Sequence, residues 1–149
     1  VTIPVIAAGG IATGRQMLAA MVLGAEGVQI GSRFVASEEA SSHINFKNLL
    51  LRAEEGDTIL TLKELTPVRM LKNAFYKKIE EAYSNDASVQ QLKELLGKGR
   101  AKMGMFNGDL DEGELEIGQV SALINEIKPA AEILNEIWLQ FLDAREKPI

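Results

Sequence analysis

The sequence contains no cysteine, which excludes a disulfide framework, a thiolate metal site and a cysteine nucleophile together. It also lacks an apolar run of the ~20 residues that cross a bilayer. The nearest stretch, Met17 to Val28, is interrupted by Gly24 and Glu26, so no membrane partner is expected. Basic charge is in deficit: 16 Lys and Arg stand against 21 Asp and Glu, a formal net charge of -5. The basic residues are spread along the chain, so a surface for the phosphate backbone of nucleic acid has no support. Internal repeats and low-complexity segments are absent. The chain is also short, because its 149 residues fall well below the ~250 of a complete (β/α)8 barrel.

What is present is ordinary soluble composition, 46% hydrophobic and 25% charged, which argues against wholesale disorder and permits a packed core. Val1 to Ala8 is apolar but has neither an initiator Met nor a basic n-region, so it reads as a strand rather than a signal peptide. A strand as the first element suggests that the numbering begins inside a larger protein. The acidic balance and the lack of a targeting signal point to the cytoplasm.

Ile3 to Ala8 is a β-branched apolar run followed at once by Gly9-Gly10, the pattern of a strand buried on both faces of a parallel sheet. Met17, Leu18, Met21 and Val22 follow at helical spacing and stop at Gly24. Gly27 to Gly31 is a second short strand. Together they predict one right-handed βαβ crossover. From Ala36 onward the pattern is of helices separated by polar breaks. Phe46 to Arg52 reads as a helix and Thr58 to Leu62 as a short strand. Pro67 is expected in the first turn of a helix reaching about Ala82, with Ser84-Asn85-Asp86 as a break and N-cap. Val89 to Leu96 is closed by Gly97, and Lys98 to Phe106 extends as a further helix. The last helix starts at Pro129, with Ile133, Leu134, Ile137, Trp138, Phe141 and Leu142 on one apolar stripe and Glu132, Glu136, Gln140 and Asp143 facing out.

The chemistry centres on two glycine-ended strands, Ala8-Gly9-Gly10-Ile11-Ala12 and Ile30-Gly31-Ser32-Arg33. Glycine lets the backbone approach a bulky anion. Phosphate groups bind (β/α)8 barrels in the loops after strands seven and eight. Ser32 adds a hydroxyl donor and Arg33 a charge. The competing reading is a pair of tight βα turns. His43, the one histidine, sits in a polar break where a capping role outweighs a catalytic one. Asn107 to Gly118 fails as a calcium loop, with Glu112 at its sixth position where glycine is needed and Gly118 at its twelfth where Glu belongs. It reads as a solvated acidic turn. Gly97-Lys98-Gly99-Arg100 lacks the spacing of a phosphate loop. Arg69 and Asn73, one helical turn apart, could face a ligand or a structural partner equally. Met17, Met21, Met103 and Met105 read as core filler.

Three groups of residues carry a family resemblance: Ile3 to Ala12 with Leu23 to Phe34; Glu38 to Asn45 with Pro67 to Asn73; and Asn107-Gly108-Asp109 with Ile117-Gly118-Gln119-Val120. The chain resembles the C-terminal part of the nitronate monooxygenase (2-nitropropane dioxygenase) family, which includes the flavin-dependent enoyl-ACP reductases of type II. The resemblance implies an α/β fold, the last two strands of a TIM (β/α)8 barrel followed by a mostly helical substrate-covering region. It divides the chain into 1–35, a βαβ unit with phosphate-binding loops, and 36–149. The implied cofactor is FMN, its phosphate held by Gly9, Gly10, Gly31 and Ser32, with Gly118 and Gln119 on the substrate side. The family's catalytic His lies upstream of these motifs, and His43 does not match it.

The implied function is that of an FMN-dependent oxidoreductase, a flavoprotein monooxygenase that oxidises alkyl nitronates with O2. The alternatives are an enoyl-ACP reductase and, from a different class, an inactive phosphate-binding fragment. An α-hydroxy-acid oxidase relative is disfavoured by the helical region after Ser32. The expected partner is a small-molecule substrate. Two strands cannot close a barrel, so exposed edges leave room for a homo-oligomer.

Overall fold

Ile6–Ala8 (β1) and Gly27–Gln29 (β2) pair in parallel, with Ala8 opposite Gln29, and are joined by the helix Gly14–Val22 (α1). This computed structural model describes residues 2–147. Val1, at the head of the first expected strand, and residues 148–149 lie outside them. The βαβ unit is as expected, but its strands are shorter than the apolar runs that encode them. They are also not buried on both faces: Ile3, Val5 and Ile6 are 67%, 43% and 54% exposed. The reason is that β1 has one neighbouring strand instead of two, so the outer edge and much of the sheet face meet no protein. Thr13 starts α1 with a reciprocal cap, its hydroxyl accepting from Gln16 N while the Gln16 carboxamide accepts from Thr13 N. Gly24, at φ +103°, closes it.

A four-residue helix, Ser32–Val35 (α2), follows β2, and the chain then leaves the sheet. Ile44–Leu50 (α3) precedes an antiparallel hairpin of Thr58–Thr61 (β3) and Val68–Leu71 (β4), with Leu60 opposite Arg69. The helices Ala74–Ser84 (α4) and Val89–Leu96 (α5) come next. The single helix expected from Pro67 is thus a strand plus a helix. Val68 to Leu71 find a partner strand in β3, and α4 begins only where Asn73 Oδ1 accepts from Tyr76 N at 3.0 Å. The cap of α5 is Ser88 rather than Ser84-Asn85-Asp86, because its hydroxyl accepts from Gln91 N and Gln91 reaches back. Lys98 to Phe106 forms no ordinary helix but a π-helical turn, Lys102–Phe106. Gly104 there lies so close to the returning chain that a Cβ would come within 2.9 Å of Glu114 O.

Two apolar clusters fill the interior. One gathers Phe46, Leu50, Leu71, Leu115, Ile117 and Ile124, the other Leu62, Met70, Phe75, Ile79 and Leu92. β4 serves both, because successive side chains of a strand face opposite ways, sending Met70 to one side and Leu71 to the other. Each fully buried side chain of this size contributes about 2 kcal/mol by transfer from water. Met70, not the four methionines expected as filler, is the buried one. Met17, Met21 and Met105 are half-buried and Met103 is exposed.

The two ends of this long excursion are stitched together. Ser37 and Lys128 form a parallel bridge, Glu38 N donates to Lys128 O at 3.0 Å, and Ala130 N donates to Glu39 Oε2 at 2.8 Å. From there Ala130–Glu146 (α6), entered through Pro129 as expected, returns to pack chiefly on α1. The approach is close enough that a Cβ at Gly14 would lie 2.6 Å from Gln140 C and nearer still to Phe141 N and Ile137 O. Ile133, Ile137 and Phe141 are buried, whereas Leu134 and Trp138 of the same stripe are 64% and 48% exposed, so the stripe is wider than the surface that covers it. Among the described residues, no helix is long and apolar enough to cross a membrane.

Candidate functional site

The parallel register brings the glycine-ended turns side by side at the C-terminal edge of the sheet, since Ala8 and Gln29 are partners and Gly9-Gly10 and Gly31 come next. Gly9 and Gly10 adopt φ of +86° and +72°, the left-handed region that glycine enters without a Cβ penalty. A Cβ at Gly9, Gly10 or Gly31 would meet nothing within 4 Å, so the backbone there faces open space that a ligand can occupy. Gly31 has an ordinary negative φ of -102°, and its contribution is small size alone.

Ser32 is tied to a distant part of the chain. Its Oγ accepts from Gly118 N at 3.0 Å, which leaves the hydroxyl hydrogen free to donate outward. A Cβ at Gly118 would come 2.6 Å from Ser32 Oγ, so a larger residue there would displace the Ser32 hydroxyl. The residues Gly31, Ser32 and Gly118 line one open pocket of about 380 Å³ together with Val68 and Arg69 of β4 and Glu116. Gly9 and Gly10 do not line it but lie beside it through the sheet register. Gln119 is exposed and does not line it either.

Other expected candidates resolve differently. Arg33 is buried, and its Nη1 donates to Glu126 O at 3.2 Å, so the charge expected beside Ser32 is spent on holding the excursion to α2. Arg69 and Asn73 do not share a helix, because Arg69 lies on β4 and Asn73 caps α4. Asn73 Nδ2 donates to Leu110 O and Gly113 O, each at 2.8 Å, a wholly structural arrangement. His43 caps α3: its Nδ1 accepts from Asn45 N at 3.1 Å. In the acidic turn, Asp109 Oδ1 accepts from the backbone of Asp111 and Glu112, while Glu112 pairs with Lys78 at 2.5 Å and Arg100 at 3.6 Å. Gly97 and Gly99 have positive φ, and Arg100 donates to Leu95 O and Leu96 O, so this segment terminates α5. A second pocket, of about 330 Å³ between α1, β2 and α6, is lined by Met17, Val28, Ile30, Phe34, Ile137 and Trp138 among others. None of those side chains ionises, so it offers space without chemistry.

The residue that sequence spacing misplaced is Arg69. A signal for its true setting lay in Thr66-Pro67-Val68-Arg69-Met70-Leu71, a turn proline before a short run that can match Thr58 to Thr61 as a strand. The Gly31 backbone, the Ser32 hydroxyl hydrogen and the Arg69 guanidinium line one pocket and are donors of the kind that suit an oxyanion such as a phosphate ester, with the Glu116 carboxylate on the same lining.

The nitronate monooxygenase family profile matches residues 1–140. A protein of Staphylococcus saprophyticus named probable nitronate monooxygenase is 34% identical over 147 residues, covering 91% of this chain and 41% of its own length. The structure of FabK from Thermotoga maritima superimposes with a TM-score of 0.89 at 42% identity, over 98% of this chain and 46% of that one. The nitroalkane oxidase of Streptomyces ansochromogenes does so with a TM-score of 0.74 at 30% identity, over 97% and 41%. The chain thus spans under half the length of these relatives. The match over residues 1–140, the 34% identity and the shared fold show that the chain belongs to the nitronate monooxygenase family, of whose (β/α)8 barrel it carries a C-terminal portion.

Proposed function

We propose that this chain is the phosphate-binding portion of an FMN-dependent oxidoreductase that oxidises alkyl nitronates with O2 in the cytoplasm. The carrying observation is the pair of glycine turns at one sheet edge, where a Cβ at Gly9, Gly10 or Gly31 would point into open space. In this reading those glycines and Ser32 hold the cofactor phosphate. The βαβ unit of residues 1–35 carries that site, and the region 36–149 covers the substrate. Gly118 joins the two through its bond to Ser32, and Gln119 stands at the margin. A flavin held by these residues would supply the redox chemistry of nitronate oxidation by O2. The residues of this chain bind and orient it. The single histidine is engaged in capping α3 and does not match the catalytic His that the family resemblance implies, so the 149 residues alone are expected to be catalytically inert.

The test is a visible absorption spectrum and a cofactor mass, measured on this chain and on the chain extended by whatever upstream sequence its gene encodes. Flavin absorption in the extended form, with a released cofactor of FMN mass, supports the proposal. No flavin in either form, even after FMN is added, refutes it. Turnover by the 149 residues supplied with FMN would refute the inertness.

A second reading, a flavin-dependent enoyl-ACP reductase, is favoured by the higher identity and TM-score to FabK than to the nitroalkane oxidase. Nitronate consumption under O2, compared with NAD(P)H oxidation driven by an enoyl thioester, separates the two.

A further inference from the structure

A phosphate monoester carries a charge of about -1.5 to -2 at neutral pH, yet the glycine turns offer only neutral donors. The adjacent cation in sequence, Arg33, is buried and bound to Glu126 O. The lining of the pocket that contains Gly31 and Ser32 nevertheless includes a cation, Arg69. Its guanidinium is half-buried and held in place. Nη1 donates to Thr58 Oγ1 at 3.2 Å, across the β3–β4 hairpin, where Thr58 and Leu60 share a face with Arg69. That partner is neutral. Among the described residues, no carboxylate forms an ion pair with Arg69 within 4.0 Å. Glu116 lines the same pocket but stands opposite Met70 rather than Arg69 in the strand bridge. A planar guanidinium fixed by one hydrogen bond keeps its remaining N–H groups for a ligand, and its fork matches phosphate oxygens.

We propose that Arg69 of β4 is the cation that binds the phosphate of the flavin cofactor, so that the excursion beyond residue 36 completes the phosphate site. This rests on the flavin reading above. The region would then be more than a substrate cover, because Arg69 would hold the cofactor phosphate together with Gly31 and Ser32.

The experiment compares FMN with riboflavin, which lacks the phosphate, by titrating apoprotein of the full chain with its upstream sequence. Wild type should prefer FMN. Arg69→Gln should lower that preference about ten- to a hundredfold through weaker FMN binding, with riboflavin affinity unchanged. Arg69→Lys should recover part of it. Wild type that prefers FMN, with the preference intact in Arg69→Gln, overturns this proposal and leaves the flavin reading standing. Equal loss of FMN and riboflavin in Arg69→Gln assigns Arg69 a packing role and also overturns it. Wild type that binds neither compound overturns both readings. Should Arg69→Gln fail to fold, Glu116→Gln carries the test. Removing that anion from the pocket should raise the FMN preference about two- to fivefold, and an unchanged preference overturns the proposal.

Discussion

Replacing Gly14 with Ala tests the contact that returns the last helix to the first βαβ unit. The added Cβ would sit 2.6 Å from Gln140 C, and nearer to Phe141 N and Ile137 O. All three are backbone atoms of α6, so no side chain can rotate away, and the helices must separate by roughly an ångström to restore van der Waals distance. Overpacking of this kind costs about 3 kcal/mol, the upper end of its usual range, because the clash is with backbone. Alanine returns up to about 1 kcal/mol of helix propensity. Separation also weakens the bond from Gly14 N to Gln140 Oε1, now 3.0 Å. The net expectation is a loss of about 2 kcal/mol, which at a urea dependence of about 2 kcal/mol/M lowers the unfolding midpoint by about 1 M. Trp138, the only tryptophan, reports on this interface directly, since its ring stacks on Phe141 at 5.3 Å. Urea titration followed by its fluorescence is the assay. Gly31→Ala is the control: a Cβ there meets nothing within 4 Å and φ is -102°, so its midpoint should not move. A Gly14→Ala midpoint within about 0.2 M of wild type would refute the close approach of α1 and α6.

Asn73→Ala should cost about 2–3 kcal/mol, because it removes the α4 cap and two hydrogen bonds to the carbonyls of Leu110 and Gly113. Thermal unfolding checks it, with Asn73→Asp expected to keep the cap and lose the two donors. Glu114→Gln should stabilise the protein at neutral pH. Burial, reinforced by the nearby charge of Glu116 and opposed by Arg100, pushes the Glu114 carboxyl above its ordinary range. Its raised folded-state pKa means that wild-type stability is fullest below the ordinary glutamate range and falls as pH rises through the raised value. The advantage of Glu114→Gln should therefore vanish in acid, and chemical unfolding at about pH 3 and pH 7 reads it. A Glu114→Gln protein no more stable than wild type at neutral pH would show that the carboxyl is not held in an unfavourable setting.

The parts of this structure that could be read from sequence are those with local causes. The crossover β1–α1–β2 follows from two apolar runs, a helical spacing and three glycine stops, and α5 and α6 follow from apolar periodicity with Gly97 and Pro129 as punctuation. The failures have tertiary causes. Val68 to Leu71 became a strand because β3 lies beside it, something periodicity within the segment cannot reveal. The π-helical turn at Lys102 arises where Gly104 presses against the chain at Glu114. Exposure of Ile3, Val5 and Ile6 was hidden because an apolar run encodes a demand for burial, and whether it is met depends on neighbouring strands. The site shows the same division. Its glycines are visible as residues, while the pairing of Ser32 with Gly118, 86 residues apart, and the arrival of Arg69 at the same pocket are visible only in the fold.

The return of α6 explains how so long an excursion keeps a defined relation to the sheet. α1 presents Met17, Leu18 and Met21 on a face that the two-stranded sheet alone cannot cover, and these side chains are half-buried in the folded chain. The helix that packs on α1 is separated from it by the whole region from α2 to residue 129. Closing so large a loop costs little more than closing a short one, because loop entropy grows only logarithmically with length. The bridge between Ser37 and Lys128 shortens the effective loop further, by joining the two ends of the excursion. Lys47 reinforces that junction by donating to Ser37 O at 2.5 Å and Glu38 O at 3.2 Å, and Arg33 reinforces it through Glu126 O. Both cations are buried, where a charge is tolerated only with such partners. Their burial gives a physical reason for the loss of Arg33 to ligand binding. The junction at Ser37 and Lys128 consumes the cation nearest in sequence to Ser32, and the cation that lines a pocket with Ser32 is Arg69 of the hairpin instead.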